Sequence, residues 1–236
     1  MIGSKKLLAV IPARGDSKRL PGKNLKNLLG RPLIAWSIDA ALKSEYVDRI
    51  IVSTDDEEIA KISRRNGAET PFIRPKSLAR DDSKSIDVVT HAIKMLKDSD
   101  DEYDYVVLLQ PTSPFRNSTH IDEAVKTLIK KSASAIISTT KSDINPKWMN
   151  TMPKSGDMTN FLDSKYQNIR SQDLPVYYQL NGAIYLSKVN NLIQENTFFL
   201  KKNIFTYIMD RKSSIDIDDQ YDFIYANSII ELNESI

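Results

Sequence analysis

Residues Leu8–Asn24 read LAVIPARGDSKRLPGKN, an apolar run that passes through a proline into a basic loop. The run is continuous from Leu7 to Ile11, as in a strand that is buried on both faces. Four cations follow in the loop: Arg14, Lys18, Arg19 and Lys23. Gly15 and Gly22 allow bends that bring backbone N–H groups close to a ligand. A buried strand that leads into such a loop predicts a phosphate site, and we expect a nucleoside triphosphate there.

The loop matches neither of two common nucleotide-binding motifs. G-x-x-x-x-G-K-[ST] is absent because Gly15 and Gly22 are too far apart and Asn24 follows Lys23. The fingerprint G-x-G-x-x-G is absent as well. A solvated surface loop is the alternative interpretation, and Lys18 or Arg19 taken alone would fit it. The place of the loop directly after the first strand favours the ligand site, because open sheets bind ligands there.

The composition excludes several classes of site and partner. The 33 basic and 31 acidic residues leave a formal charge of +2, so we do not expect a nucleic-acid partner. The chain has no cysteine and only two histidines, which excludes a disulfide, a thiol nucleophile and a Cys- or His-rich zinc site. The apolar runs are too short for a signal peptide or a membrane span, so we expect a cytoplasmic protein.

Strand and helix patterns alternate over the first 140 residues. Strands are expected at Lys6–Ile11, Arg49–Ser53, Tyr105–Gln110 and Ala133–Thr139, and helices from Pro32, from a cap at Asp55, over Ser83–Lys97 and over Ile121–Lys130. Asn181–Leu186 and Phe205–Met209 indicate two more strands before a closing helix at Asp219–Asn233. The pattern predicts an α/β protein with a Rossmann-like, doubly wound and mostly parallel sheet.

Residues 141–180 interrupt this pattern with a polar, proline-containing stretch that has no helical period. Long irregular segments in compact domains are usually functional or form a separate small unit. Its scattered aromatic residues need a surface to pack on, and a second subunit is one candidate. We therefore expect a core of residues 1–140 and 181–236, with residues 141–180 as an insert that mediates dimerisation or binds sugar.

Five blocks of the sequence, in this order, resemble those of one enzyme family. They are IPARGDSKRLPGKN (11–24), RPKSLARDDSKSI (74–86), LLQPTSPFR (108–116), NGAIYL (181–186) and SSIDIDDQYD (213–222). The family is that of the CMP-acylneuraminate synthetases, cytidylyltransferases that activate nine-carbon sugars of the sialic-acid type. The resemblance covers nearly the whole chain. It implies that CTP and a nonulosonic acid, a 2-keto sugar acid, give the CMP-sugar and pyrophosphate.

The resemblance also assigns the residues that bind the nucleotide. It implies that Arg14 and Lys23 grip the triphosphate and that Lys23 follows the charge developing on the leaving pyrophosphate. Asn24 matches a nucleotide contact at the ribose. The other matching positions are Gly15, Arg74, Ser83 and Ser85, and Arg74 and Ser85 are the pair that reads cytosine. Such a reaction depends on neutralised charge and in-line positioning more than on covalent catalysis.

Asp216 and Asp218 are the candidate metal ligands. Residues two apart in an extended stretch face the same side, so both carboxylates can meet one Mg²⁺ or divide two between them. From the residues alone, the acidic stretch fits the N-terminal cap of the last helix equally well. The resemblance favours the metal, with Asp218 or Asp219 still able to cap the helix.

The sugar acid has a larger set of candidate contacts, all implied by the resemblance. They are Gln110, Thr112, Ser113, Lys147, Arg170, Asn181, Tyr185, Phe198 and Phe199. Lys147 and Arg170 would face the sugar carboxylate, although single cations in a polar stretch are usually surface residues. The Phe198–Phe199 pair can reach a neighbour's active site in this family, whereas the commoner place of such a pair is the core. That reach implies a homodimer.

Two alternative functions remain open, and the sequence departs from the family's pattern at two positions. A 3-deoxy-octulosonate cytidylyltransferase would catalyse the same kind of reaction, whereas a nucleotide- or carbohydrate-binding module would catalyse no reaction. Asp16 stands where the family more often has glycine or another small residue, and a carboxylate there would repel a triphosphate unless it points away or helps to hold Mg²⁺. Gln179 stands where some members have a cation, so the identity of the sugar stays open among sialic, legionaminic and pseudaminic acids.

Overall fold

The computed structural model describes residues 2–234, with side chains described as far as residue 229. Its strands are β1 (Leu7–Pro12), β2 (Asn27–Leu28), β3 (Arg31–Pro32), β4 (Arg49–Ser53), β5 (Tyr105–Leu108), β6 (Ala135–Lys141), β7 (Tyr178–Lys188) and β8 (Ile204–Met209). Its helices are α1 (Leu33–Leu42), α2 (Glu57–Arg65), α3 (Ser85–Lys97), α4 (Ser118–Lys130), α5 (Val189–Glu195) and α6 (Gln220–Glu234). The predicted strands and helices all form, with ends shifted by a few residues.

Six strands form the central sheet in the order β4-β1-β5-β7-β6-β8, and β2 pairs only with β3. The pairs β1–β4, β1–β5 and β6–β8 are parallel, which confirms the mostly parallel, Rossmann-like α/β prediction. β7 lies antiparallel between β5 and β6. No crossover helix separates β6 from β7, so the chain returns directly beside the strand that it has just left. The carboxyl ends of β1, β4, β5, β6 and β8 consequently share one edge.

Helices cover both faces of the sheet because both faces of its strands are apolar. On β1, Leu7, Ala9 and Ile11 pack in the same cluster as residues of α1 and α4. The alternating residues Leu8 and Val10 pack with α3 and α5 on the other face. All five side chains are fully buried, as the period of two in a strand requires. The core therefore fixes β1 firmly, and with it the start of the basic loop.

The cap of α2 differs from the sequence prediction by one residue. Asp56, rather than Asp55, accepts hydrogen bonds from the backbone N–H groups of Glu58 and Ile59. This frees the carboxylate of Asp55 to turn toward the basic loop. At the start of α4, Asn117 and His120 form a reciprocal capping box, which gives His120 a structural role.

Residues 142–177 leave the sheet between β6 and β7. They contain three short 3-10 turns, at Pro146–Trp148, Ser164–Tyr166 and Ser171–Asp173, and no longer helix or strand. Many of their apolar side chains reach solvent in the single chain, among them Ile144, Met149, Met152, Met158 and Val176. Within residues 2–234, no helix has the length and apolar character needed to cross a membrane.

Candidate functional site

The basic loop forms one wall of a cleft of about 290 Å³ at the carboxyl ends of β1 and β5. The lining includes most of the predicted nucleotide positions: Arg14, Lys23, Asn24, Arg74, Ser83 and Ser85. Gln110, Thr112 and Asp218 line the same cleft. The cleft thus combines residues from the connections that follow β1, β4 and β5 with Asp218 from the segment before α6.

Two acidic residues that follow β4 hold the loop against the sheet. The backbone N–H of Gly15 donates to the Asp55 carboxylate, with an N···Oδ1 distance of 3.2 Å. A Cβ atom on Gly15 would lie 2.7 Å from Oδ2 of Asp56, so only glycine allows this close approach. Gly22 has a φ of 65°, in the left-handed region, and precedes the 3-10 turn Lys23–Leu25. The two glycines therefore set the course of the loop.

Asn24 supports the loop from inside. Its side chain is buried, and its amide Nδ2 donates to the carbonyl oxygen of Arg14 at 2.9 Å. This bond fixes the backbone from which the Arg14 guanidinium extends. The predicted contact of Asn24 with the ribose stays a prediction, although the residue does line the cleft.

Lys23 is the most enclosed of the four loop cations, with 13% of its side chain exposed. Its ammonium donates to the carbonyl oxygen of Ile217 at 2.8 Å and lies 3.6 Å from the carboxylate of Asp218. Burial lowers the pKa of Lys23, while the nearby Asp218 and Asp216 partly offset that change. A desolvated cation with few charged partners is suited to hold a phosphate group.

The segment with the two predicted metal ligands crosses the carboxyl edge of the sheet. The N–H of Ile217 donates to the carbonyl of Thr112 at 2.8 Å, which pins the residues on either side. Asp218 faces Lys23 and also pairs with Arg19 at 2.9 Å. Asp219 caps α6 by accepting from the N–H groups of Tyr221 and Asp222. Asp219 therefore caps α6, and the carboxylates of Asp216 and Asp218 take no part in capping.

Asp216 reaches solvent, yet protein atoms crowd its carboxyl group. This loss of hydration raises the pKa of Asp216 above its ordinary value, and the negative charge of Asp218 adds to the rise. The nearby Thr112 hydroxyl and the Lys23 ammonium act in the opposite direction. A carboxylate held near another carboxylate gains from a bound cation.

Arg74, which also lines the cleft, is 3% exposed, and its guanidinium lies 3.6 Å from the carboxylate of Asp55. Its buried Nε has no hydrogen-bond partner among the described residues. Burial lowers the pKa of Arg74, and Asp55 partly offsets this. A buried donor without a partner favours a ligand at this position. Ser83 is already engaged, since its hydroxyl accepts from Arg80 N–H and donates to the Ser77 carbonyl.

A second pocket of about 240 Å³ adjoins the cleft and shares Ser85 and Gln110 with it. Tyr185, Phe198 and Phe199 form its aromatic wall, with ring centroids of Tyr185 and Phe198 5.5 Å apart. Phe198 is buried, whereas Phe199 is exposed. The structure thus places the phenylalanine pair at a pocket of its own chain, and the reach to a neighbour's site that the resemblance implies stays a prediction.

Asn181 and Gly182 do not open β7 but lie inside it, where its register with β6 shifts. The Asn181 amide is buried and donates to Ser214 Oγ at 2.9 Å, while its oxygen accepts from Ser138 Oγ at 2.6 Å. These hydrogen bonds hold the Asn181 side chain within the bulge, and Asn181 lines neither pocket. Gly182 has a φ of 72°, and a Cβ there would lie 3.8 Å from both Asp216 Oδ2 and Gln110 Oε1.

The remaining sugar candidates divide into two groups. Thr112 lines the cleft near Asp216, and Ser113 is fully buried behind it with a hydroxyl that has no hydrogen-bond partner among the described residues. Lys147 and Arg170 lie in the insert, away from the residues that line either pocket. Lys147 lies over the Tyr166 ring, and Arg170 pairs with Asp173 at 2.8 Å. The single chain does not bring these two cations to its own cleft.

Sequence reasoning missed two residues of the site. Asp55 holds Gly15 and Arg74, and Asp81 pairs with Arg14 at the cleft. A carboxylate two residues after the end of β4 was a usable signal for Asp55. Asp16, whose presence the sequence did not explain, is exposed and does not line the cleft. It is therefore not one of the residues that face the cleft directly.

The chain is similar to known proteins over nearly its whole length. Residues 8–233 match the family model described as Cytidylyltransferase. The CMP-N,N'-diacetyllegionaminic acid synthase of Legionella pneumophila is 36% identical over 229 residues, which cover 97% of this chain and 98% of the relative. The pseudaminic acid cytidylyltransferase of Campylobacter jejuni is 34% identical over 97% of each chain. The N-acylneuraminate cytidylyltransferase of Escherichia coli is 38% identical, and this chain spans 52% of its length.

Two solved structures share the fold. A CMP:2-keto-3-deoxy-manno-octonic acid synthetase complexed with CTP aligns over 97% of this chain and 99% of its own, with a TM-score of 0.69 at 19% identity. The 4-diphosphocytidyl-2C-methyl-D-erythritol synthase of Anaerococcus prevotii aligns over 96% of this chain and 99% of its own, with a TM-score of 0.66 at 18% identity. At these identities the likeness concerns the arrangement of strands and helices.

Proposed function

The chain belongs to the cytidylyltransferase family, and we propose that it joins CTP to a nine-carbon 2-keto sugar acid with release of pyrophosphate. One observation carries the proposal. Within a single cleft, the phosphate-suited cations Arg14 and Lys23 lie beside the acidic segment that contains Asp218. Relatives named for legionaminic, pseudaminic and acylneuraminic acids support the nine-carbon class of sugar.

The residues of the cleft suit an in-line displacement at the α-phosphorus of CTP. The anomeric hydroxyl of the sugar acid attacks, the bond to the β-phosphate oxygen breaks, and pyrophosphate leaves. Arg14 and Lys23 neutralise charge on the phosphates, and the enclosed position of Lys23 strengthens its effect on the leaving group. Such catalysis rests on fixed charges and orientation and needs no covalent intermediate.

Asp216 and Asp218 suit Mg²⁺, whose usual protein ligands are one or two carboxylates together with substrate phosphates and water. Among the described side chains, which end at residue 229, there is no group of three or more His, Cys, Asp or Glu residues that could hold a metal alone. The raised pKa of Asp216 beside Asp218 fits a pair that gains from a bound cation. When bound, Mg²⁺ would orient the triphosphate and neutralise part of its charge.

Arg74 and Ser85 are the proposed readers of cytosine. Arg74 and Ser85 line the same cleft, and their guanidinium and hydroxyl groups can donate to the carbonyl oxygen and ring nitrogen of the base. The unpartnered Nε of Arg74 supports a ligand at this position. A base without matching acceptors would leave these buried donors unpaired, which favours CTP over other nucleotides.

The aromatic pocket beside Gln110 is the proposed sugar site. Tyr185, Phe198 and Phe199 offer an apolar wall for the acyl groups of the sugar, and Gln110 offers an amide at its border with the nucleotide cleft. Lys147 and Arg170 lie outside this pocket in their own chain. We infer that they reach the sugar carboxylate in the cleft of a second copy, which a bidentate arginine would suit.

We propose that the enzyme works as a homodimer in the cytoplasm, with the insert 141–180 as the contact between subunits. The exposed apolar residues Ile144, Met149, Met152 and Val176 support this, because interface cores are enriched in such side chains. A symmetric dimer would exchange both inserts and so complete two equivalent sites.

Release of pyrophosphate tests the reaction. The purified protein should release it from CTP and Mg²⁺ only when a nonulosonic acid is present, and should discriminate among sialic, legionaminic and pseudaminic acids. A rate with 3-deoxy-octulosonate above all nine-carbon acids would favour the eight-carbon alternative. Binding of CTP without turnover on any sugar acid would indicate a binding module.

A further inference from the structure

The four cations of the basic loop are divided between two carboxylates that both line the cleft. Arg19 and Lys23 pair with Asp218. Arg14 and Lys18 pair with Asp81, and the distance from Arg14 Nη2 to Asp81 Oδ1 is 2.9 Å. The proposed function gives Asp218 a metal to hold, but it gives Asp81 no task.

Asp81 lines the same cleft as the loop but belongs to a different segment of the chain. It lies between the 3-10 turn Lys76–Leu78 and the start of α3, more than 60 residues along the chain from Arg14. Its carboxylate is 45% exposed, as expected at the mouth of a cleft, and it lines that cleft together with Arg14 and Lys18. The ion pairs therefore connect the two segments at the mouth of the cleft.

A triphosphate in this cleft and the carboxylate of Asp81 require the same positive groups. The charge on Asp81 also repels the phosphate charges, and only part of this repulsion is screened by solvent. We propose that Asp81 competes with the triphosphate of CTP for Arg14 and Lys18, and thereby weakens the binding of CTP and of pyrophosphate. This inference rests on the proposed use of CTP.

Competition should outweigh any benefit from holding the two cations in place. An exposed ion pair orders its side chains only weakly, since its net stabilisation is close to zero. The same carboxylate faces several negative charges once a triphosphate binds. Removal of the charge should therefore strengthen binding, whereas removal of a positioning residue would weaken it.

Competition also gives Asp81 a use in turnover. Pyrophosphate leaves as a highly charged product, and Arg14 and Lys18 would retain it if they had no other partner. Asp81 supplies that partner at the mouth of the cleft as the product departs. Asp81 thus lowers the affinity for CTP and increases the rate at which pyrophosphate is released.

The test compares Asp81→Asn with Asp82→Asn. Asp82 is an exposed neighbour that does not line the cleft and forms no ion pair within 4.0 Å among the described residues. Isothermal titration would measure binding of CTP, pyrophosphate and inorganic tripolyphosphate to each full-length protein in Mg²⁺ buffer. For Asp81→Asn we expect dissociation constants about fivefold lower than in the wild type, the size of one exposed charge interaction. Asp82→Asn should match the wild type.

A second variant keeps the outcome clear. Asp81→Glu retains the charge and should bind all three ligands within about twofold of the wild type, since a carboxylate can still reach the same cations. Unchanged or weaker binding by Asp81→Asn would overturn the proposal. A wild type that binds tripolyphosphate but not CTP would instead count against the proposed function, and the effect of Asp81 on tripolyphosphate would still be measured.

Discussion

The cleft and the segment 142–177 hold their cations in opposite ways. In the cleft, Lys23 is largely buried and Arg74 almost fully so, and both are held by groups far away in the sequence. In the insert, Arg170 is 72% exposed and pairs with Asp173, only three residues away. Fixed, desolvated charges suit catalysis, because little reorganisation is needed when the reaction occurs. The insert has no such environment within its own chain.

The apolar residues of the two regions show the same contrast. The strands under the cleft are fully buried, whereas Met149, Met152 and Met158 of the insert reach solvent. Apolar groups in such number indicate a surface that another body covers. This contrast supports the proposals that the core carries the nucleotide chemistry and that a second copy covers the insert.

The largest expected effect comes from the acidic pair of the core. Asp216→Ala and Asp218→Ala should each lower kcat by about 10³-fold, because several kcal/mol of transition-state stabilisation depend on the metal. The affinity for CTP should change far less, as Arg14 and Lys23 remain. Steady-state release of pyrophosphate and CTP titration measure the two quantities. Near-normal kcat in both variants would remove the metal assignment, and Asp16→Ala, on the exposed face of the loop, serves as the control.

Lys23→Ala should have the next largest effect, with kcat/KM about 10²-fold lower. The reason is the loss of a desolvated cation beside the leaving phosphates. Lys26→Ala is the matched control, since Lys26 lies over the Phe223 ring and does not line the cleft. Equal activity of the two variants would show that Lys23 has no special role with the triphosphate.

Mixing of two impaired variants tests the link between core and insert. Arg170→Ala should be impaired, and a mixture of Arg170→Ala with Lys23→Ala should regain activity as hybrid dimers form. If Arg170 acts in the partner's cleft, each complete site takes Lys23 from one subunit and Arg170 from the other. About a quarter of the sites in an equal mixture then contain the wild-type residue at both positions. No recovery after proven subunit exchange would place Arg170 outside the partner's site. Light scattering should report twice the 26.8 kDa chain mass beforehand.

The smallest expected effect is on the stability of the single chain. At concentrations where the copies separate, Met152→Ser should change the free energy of unfolding by about 0.5 kcal/mol or less, since its side chain is exposed. Leu128→Ala, in the buried face of α4, should cost about 2–5 kcal/mol. Denaturant unfolding monitored by circular dichroism measures both. A large loss for Met152→Ser in a monomer would mean that the insert packs on its own chain.

Local patterns of sequence were sufficient for most of the fold. Continuous apolar runs predicted β1, β4, β5 and β6, because strands buried on both faces contain few other residues. The antiparallel course of β7 was not predictable, since it depends on how the chain returns from the insert. The bulge at Gly182 also went unseen, because Asn-Gly signals a turn equally well.

Site residues could be predicted where they follow a strand in the sequence. They could not be predicted where their position depends on contact with a distant segment of the same chain. Arg14 and Lys23 follow β1 and do line the cleft. The pair between Asp81 and Arg14 depends on the approach of two loops that no local pattern records. The burial of Asn181 and the bond from its amide to Ser214 inside the bulge were not foreseen, and its expected contact with a ligand stays a prediction. Burial of that kind can be seen only in the folded chain.

A crystal structure with CTP and Mg²⁺ bound would decide whether the cleft is the nucleotide site. We expect phosphates at Arg14 and Lys23, cytosine between Arg74 and Ser85, and the cation at Asp216 and Asp218. We also expect that Asp81 has released Arg14. CTP bound away from the cleft, or with its base at the acidic segment and its phosphates at Arg74, would contradict this assignment.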